Sequence, residues 1–570
     1  VGTQLFFKAS SGSAGEEVWR TDGTFAGTYQ VRDIRSAGSS QPRHLTALGS
    51  NGLLFAANDG TNGMELWRSD GSLAGTVLVR DIQPGLDNSS DPSPLVAYSS
   101  VVYFAATCTT NGGRELWRSD GTTAGTYLLR NLAVGDVVQD SEPGDFLATS
   151  GGLFFSAREA SYGRQLWRTD GTTAGTYRVT QLLEAGDEWN NPRDLTAIPG
   201  GLLLRLTNTV EGAELWRSDG TPEGTTLVRD LYPGPSDGVL DALSVVGSQV
   251  LFNGTDGVLG AELWRSDGTA TGTVRVKDIY PGLNSSSPGP IYSLGNWALL
   301  APNDGVRGKA LWRSDGTSTG TVLVLDLRAD TTDPQIGSFT NLGGVAVFRA
   351  DNGVNGVELW RSDGTSNGTY LVADINPGSG SGSPGALTRL GTQILFRAND
   401  GSVGQELWVT DGTTSGTIRV RDIRPGPTGS TPSLGGEPLQ GALLMAADDG
   451  VLGSELWRTD GTSNGTWQIS DLNPGAGSSF PSGFITLGTQ SLFRASDGVT
   501  GLELWITDGT SNGTRPVLDI AAGNSNSTPA HFTRWGDRVV FAATDLEAGN
   551  EPWITDGTST GTRRLGDVNP

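Results

Sequence analysis

The residues best suited to chemistry gather in one stretch of the chain. The segments AVGDVVQDSEPGD (133–145) and LEAGDEWNNPRD (183–194) carry Asp136, Asp140, Glu142, Asp145, Glu184, Asp187 and Glu188, with Trp189 and the amides of Asn190 and Asn191 beside them. Arg158, Glu159 and Tyr162 stand between the two segments. A pair of carboxylates can supply the acid and the base or nucleophile of glycoside cleavage. A tryptophan among carboxylates and amides can stack a sugar ring and bond its hydroxyls. The plainer alternative is a pair of solvated acidic loops, with Trp189 packed beneath its own segment. Turns rich in Asp, Asn and Gly can also offer oxygens to calcium, although no dense D-x-D-x-D-G spacing occurs. No other cofactor is evident. The only cysteine, Cys108, and the only histidines, His44 and His531, do not form a common zinc pattern, and no Ser-His-Asp grouping is indicated.

What must hold these residues is a repeat. One tryptophan recurs at Trp19, Trp67, Trp117, Trp167, Trp216, Trp264, Trp312, Trp360, Trp408, Trp457, Trp505 and Trp553, always 48 to 50 residues after the last. A period this even across the chain makes the repeat, not a conventional domain, the unit of folding, and residues 1–570 read as one repeat domain of twelve copies. In the copy from His44 to Ile82 the apolar segments LTAL, LLFAA, ELWRS and TVLVRDI are too short for helices. The joints GSNG, NDGTNG and DGSLAG between them have the turn chemistry of hairpins. We label the four strands A to D. Adjacent Leu66 and Trp67 must point to opposite faces, so the sheet is covered on both sides. Small four-stranded antiparallel sheets stacked between like neighbours are the blades of a β-propeller. The fold expected is therefore all-β, a propeller of about twelve blades in one continuous ring, with two six-bladed propellers as the alternative. The link between copies six and seven is of ordinary length, which favours the single ring. Strand A of the first copy is missing, so 47 strands are expected.

The phrase around the tryptophan reads as structural. In ELWRSDGTTAGT (115–126), Trp117 supplies the contact between blades, Asp120 accepts N–H groups within its own turn, and Gly121 and Gly125 are free to take positive φ. ELWRSDGT and close copies begin at Glu65, Glu115, Glu214, Glu262, Glu358 and Glu455, and they resemble the ELWxxDGT repeat of secreted bacterial proteins over essentially the whole chain. That resemblance implies a bacterial protein that is secreted or held at the cell surface, and it brings no settled activity or catalytic residues. Departures are Gln165 and Ala310 in place of the Glu, Pro552 in place of the Leu, and Val409, Ile506 and Ile554 in place of the Arg.

Charge limits the partners. A net charge of -23, from 62 acidic against 39 basic side chains, repels a phosphate backbone, so nucleic acid is excluded. No apolar run reaches the length of a membrane-spanning helix, and Val1 opens directly into repeat pattern without a basic leader. In an A-B-C-D blade the A–B and C–D turns share one rim, while the B–C turns and D–A links share the other. Only the second rim varies from copy to copy. Its sharpest break is in copies three to five, where TCTTNGG, REASYG and TNTVEG replace the usual B–C turn with its Asp-Gly pair. The expected ligand site is therefore Trp189, Asp187, Glu188, Asn190, Asn191, Arg158, Glu159, Tyr162, Asp140 and Glu142. The expected function is a non-catalytic extracellular binding or adhesion scaffold, recognising glycans or cell-surface proteins by multivalent display. A calcium-stabilised surface protein and a polysaccharide-acting enzyme are the alternatives.

Overall fold

The computed structural model describes residues 1–11, 15–36, 38–50, 52–133, 140–159, 162–180 and 191–568. Those residues form 47 strands in twelve antiparallel sheets, each running in sequence order, with a 3-10 turn at Thr109–Asn111. The first sheet has three strands and the other eleven have four. The chain is thus all-β and built of twelve propeller blades, as the repeat requires. Among the described residues no helix is long and apolar enough to cross a membrane, a statement that does not extend to strands. Contacts divide it into two compact units, Val1–Ser287 with blades 1 to 6 and Pro288–Asn569 with blades 7 to 12. The division falls in the link whose length is ordinary.

Blade 2 shows how the repeat packs. Its strands A to D are Arg43–Ala47, Leu53–Asn58, Met64–Ser69 and Val77–Arg80. Alternation sends Leu53, Phe55 and Trp67 against Val18, Val31 and Ile34 of blade 1. Leu54, Leu66 and Val79 turn the other way, onto Val102, Phe104 and Trp117 of blade 3. Full burial of such side chains contributes about 1.5–3 kcal/mol each, so blade 2 depends on both neighbours for its stability.

The C–D turn explains the invariant phrase. Asp120 Oδ1 accepts the Thr122 N–H at 2.9 Å and the Thr122 hydroxyl at 2.7 Å, and Thr122 Oγ1 in turn accepts the Gly125 N–H at 2.9 Å. Beneath them the buried Ser119 and Thr126 hydroxyls meet at 2.6 Å. Gly121 has φ +84°, the left-handed conformation that favours glycine. Gly125 corrects the expectation: it is not among the glycines with positive φ. Its glycine is required by space, because a Cβ there would lie 2.0 Å from Asp120 Oδ1. The turn is also held by blade 2, whose Arg68 donates to the Gly121 carbonyl at 3.0 Å.

Candidate functional site

The B–C and D–A rim is organised by the glutamate of the repeat, a role that the sequence pattern did not reveal. Glu65 is fully buried, and its carboxylate accepts the N–H groups of Ile82 (2.9 Å), Gln83 (3.2 Å) and Ser90 (3.0 Å) together with the Ser90 hydroxyl (2.6 Å). One side chain thereby fixes both ends of the D–A link. Burial pushes Glu65 up to about 7, against the opposing pull of the Ser90, Ile82 and Gln83 hydrogen bonds. In blade 5 the link places Gly238 where blade 2 has Ser90, no hydroxyl is available, and burial drives Glu214 to about 8.

Blades 3 and 5 keep this glutamate, as Glu115 and Glu214, but blade 4 between them does not. Blade 4 carries Gln165, whose Nε2 donates to the Tyr162 carbonyl at 2.6 Å and whose Oε1 accepts the Thr180 hydroxyl at 2.7 Å. The carboxylate that receives the N–H groups of the link in the regular blades is absent here, as it is in blade 7, where Ala310 takes its place. Beside Gln165, Glu159 ends strand B (Gly152–Glu159) and pairs with Arg178 at 2.7 Å, and the Arg178 guanidinium lies 4.4 Å from the centre of the Tyr162 ring. The Arg158 N–H donates to the Ser141 carbonyl at 2.6 Å, which joins the B–C turn of blade 4 to the link that follows blade 3. Asp140 Oδ1 accepts the Arg114 N–H at 2.7 Å, and Glu142 pairs with Arg164 at 3.2 Å. Arg164 also donates to the Ser156 hydroxyl, which in turn donates to Asp145.

The structure therefore brings Asp140, Glu142, Arg158, Glu159 and Tyr162 together on one rim. Asn191 opens strand A of blade 5 (Asn191–Ile198), and in the amide orientation that satisfies its neighbours its oxygen accepts from Arg193 at 2.7 and 2.6 Å. Trp189, Asp187, Glu188 and Asn190, with Asp136 and Glu184, lie outside the described residues. The described carboxylates of the arc are engaged by arginines, by backbone N–H groups or, for Asp145, by the Ser156 hydroxyl, an arrangement that shapes loops and presents guanidinium and phenol groups. Among the described residues no three His, Cys, Asp or Glu side chains group as metal ligands. His44 is exposed, and its imidazole is lowered by partial burial and by the charges of Arg43 and Arg114.

No family model and no curated protein matches the sequence, so the ELWxxDGT resemblance rests on the motif alone. Solved structures do match. A puromycin hydrolase is similar at 16% identity over 74% of this chain and 53% of its own, with a TM-score of 0.24. The propeller domain of the Trilobed protease from Pyrococcus furiosus is 12% identical over 58% of this chain and 99% of its own, also at 0.24. The extracellular domain of a one-component system from B. thetaiotaomicron is 12% identical over 98% of this chain and 76% of its own, again at 0.24. The chain spans 53% and 58% of the two puromycin hydrolase chains that it matches. These neighbours correct the expectation of a non-catalytic adhesion scaffold, since several of them are named as hydrolases or peptidases. At this similarity they bring no reaction to this chain.

Proposed function

We propose that the rim of blades 3 to 5 is a recognition site for a polar, chain-like substrate or ligand, and that the other blades form the frame that holds it. One observation carries this reading. Gln165 replaces the buried glutamate in the blade whose B–C turn and flanking links also depart from the repeat, whereas blade 7, where Ala310 replaces the glutamate, keeps the Asp304-Gly305 pair in its B–C turn. Loops that differ on a rigid, repeated support are where binding groups collect. Arg158, Glu159 and Tyr162 offer the contacting groups, and the neighbouring segment with Trp189 belongs to the same proposal.

The test incubates the protein with a panel of polysaccharides and a panel of peptides, reading retention and, by mass spectrometry, cleavage. Arg158→Ala and Glu159→Ala are compared with Asn284→Ala in a regular link. Loss of binding or turnover in the two arc variants alone supports the site. Loss in Asn284→Ala with the arc variants unchanged overturns it and assigns recognition to the repeated surface.

A further inference from the structure

On the other rim, blade 5 leaves an arginine without a partner. Arg217 and Thr226 are register neighbours on strands C and D, Gly212–Ser218 and Thr226–Arg229. In blades 1, 3, 4, 8 and 10 the same pair is an arginine over an aromatic ring: Arg20 over Tyr29, Arg118 over Tyr127, Arg168 over Tyr177, Arg361 over Tyr370 and Arg458 over Trp467, at 4.8 to 5.9 Å. Several of these arginines also donate to the C–D turn of the next blade, as Arg118 does to Gly171 at 2.6 Å and Arg361 to Gly412 at 3.1 Å. Where Val77 or Val322 replaces the ring, Arg68 and Arg313 keep that bond, to Gly121 at 3.0 Å and Gly364 at 3.2 Å.

Arg217 does neither, and in blade 6 Arg265, opposite Val274, makes no such contact either among the described residues. Among the described residues the Arg217 guanidinium has no hydrogen bond, ion pair or ring contact; its buried Nε is unpartnered, as are those of Arg118, Arg265, Arg313 and Arg458, of which Arg118, Arg313 and Arg458 still donate from Nη1 to the next turn. Arg217 lines a groove of about 370 Å³ between the C–D turns of blades 5 and 6, together with Thr226, Asp219, Gly268 and Thr269. Asp219 uses Oδ1 to accept the Thr221 N–H (2.8 Å) and hydroxyl (2.7 Å), and its other carboxylate oxygen makes no such bond in the turn. The groove therefore offers one cation and one anion side by side. In a chain of net charge -23 a bare anion is repelled at long range, whereas a ligand carrying both signs is not.

We infer that this groove binds a small zwitterion, an amino acid or short peptide, with its carboxylate on the Arg217 fork and its ammonium group towards Asp219. A planar guanidinium with free N–H groups matches a carboxylate in two parallel hydrogen bonds. The volume suits a small ligand. The site lies on the rim opposite the proposed recognition arc and stands independently of it.

The test titrates the full chain with glycylglycine, acetate and ethylammonium, followed by calorimetry and by thermal unfolding. Glycylglycine is expected to bind saturably and more tightly than either single-charge probe. Arg217→Met should weaken it by about tenfold or more, while Arg118→Met, which alters a partnered arginine, should leave it unchanged. Thr226→Tyr restores the aromatic of the sister blades; it should fill the groove, abolish binding and raise the unfolding temperature. Because that variant keeps Arg217, it tests the site even if Arg217→Met does not fold. Unchanged binding in either groove variant, or no binding of glycylglycine to the parent protein, overturns the inference. Acetate binding as tightly as glycylglycine overturns the part played by Asp219.

Discussion

Arg80 of blade 2 lies across the indole of Trp117 in blade 3, its guanidinium carbon 5.6 Å from the ring centre, and donates from Nη1 to the Thr126 carbonyl at 2.8 Å. The same clamp joins Arg32 to Trp67 and Thr76, Arg130 to Trp167 and Thr176, Arg229 to Trp264 and Thr273, and Arg421 to Trp457 and Thr466. The tryptophan thus works twice, as apolar area buried against the preceding blade and as the face on which that blade's arginine rests. At these five junctions a copy is gripped by the copy before it, whereas Leu325, Ala373, Ser470 and Leu518 stand at the arginine's position in other blades and leave the tryptophan its apolar role alone.

Arg80→Met should therefore cost about 1–2 kcal/mol, since it removes a charged hydrogen bond and a cation–π contact while keeping the apolar stem. Arg80→Lys should fall between the two proteins, because an ammonium group cannot both lie flat on the ring and reach the carbonyl. Urea unfolding measures both, and equal midpoints for all three proteins would show that the clamp adds nothing.

The C–D turn makes a sharper demand. Gly125→Ala places a methyl 2.0 Å from the Asp120 carboxylate and should destabilise by about 1–3 kcal/mol. Asp120→Ala alone should cost about 1 kcal/mol through its lost turn bonds. The double variant should be less destabilised than the sum, because removing the carboxylate also removes the clash. Strict additivity would mean that the glycine serves some other need.

Stability should depend on pH in two windows of opposite sign. Glu17, Glu65, Glu115, Glu358 and Glu455 are raised by burial to about 7 from an unfolded value of 4.5. Between those values the folded chain holds protons that the unfolded chain has lost, so their contribution is complete below 4.5 and is lost as pH rises through 7. The turn aspartates act in reverse. Asp70 is held below its usual value of 3.8 by the Ser72 hydroxyl and N–H, and Asp22 likewise by Thr24, so their contribution is lost as pH falls below 3.8. The melting temperature should peak at about pH 4–5 and fall towards pH 8, with a shallower fall in Glu65→Gln. A melting temperature that climbs steadily to pH 8 would contradict the buried glutamates' part.

The fold was legible because its information is local and repeated. Spacing gives the copies, Leu66 beside Trp67 gives two covered faces, and the Asp-Gly turns give the hairpins. The structural residues that escaped are those whose partners lie far along the chain. Glu65 is only the first residue of the repeated phrase until Ser90, 25 residues on, closes over it, and Gly125 reads as a conformational glycine until the Asp120 carboxylate is seen in its way. Of the candidate site, the grouping of Asp140, Glu142, Arg158, Glu159 and Tyr162 on one rim followed from strand order. Their pairing with the Arg114 N–H and with the Arg164 and Arg178 side chains did not, because an arginine near the end of one strand gives no sign of which distant carboxylate it will meet.

Gln165 offers the most direct test of whether the arc is specialised. Restoring the repeat with Gln165→Glu would put a buried carboxylate where Nε2 now donates to the Tyr162 carbonyl at 2.6 Å, leaving two acceptors face to face. The Thr180 hydroxyl can still donate to the new side chain, but one donor does not compensate a buried charge that has three or four in the regular blades. The variant should lose about 1–3 kcal/mol near neutral pH and recover part of it on acidification, as protonation turns the carboxyl into a donor towards the Tyr162 carbonyl. The mirror change, Glu65→Gln in a regular blade, should destabilise without any such recovery. Recognition by the rim should weaken in Gln165→Glu and persist in Glu65→Gln, because only the first alters the turn that carries Glu159 and Tyr162. If Gln165→Glu were neutral to both stability and recognition, the glutamine would be a tolerated substitution and the arc would have no claim over the other blades.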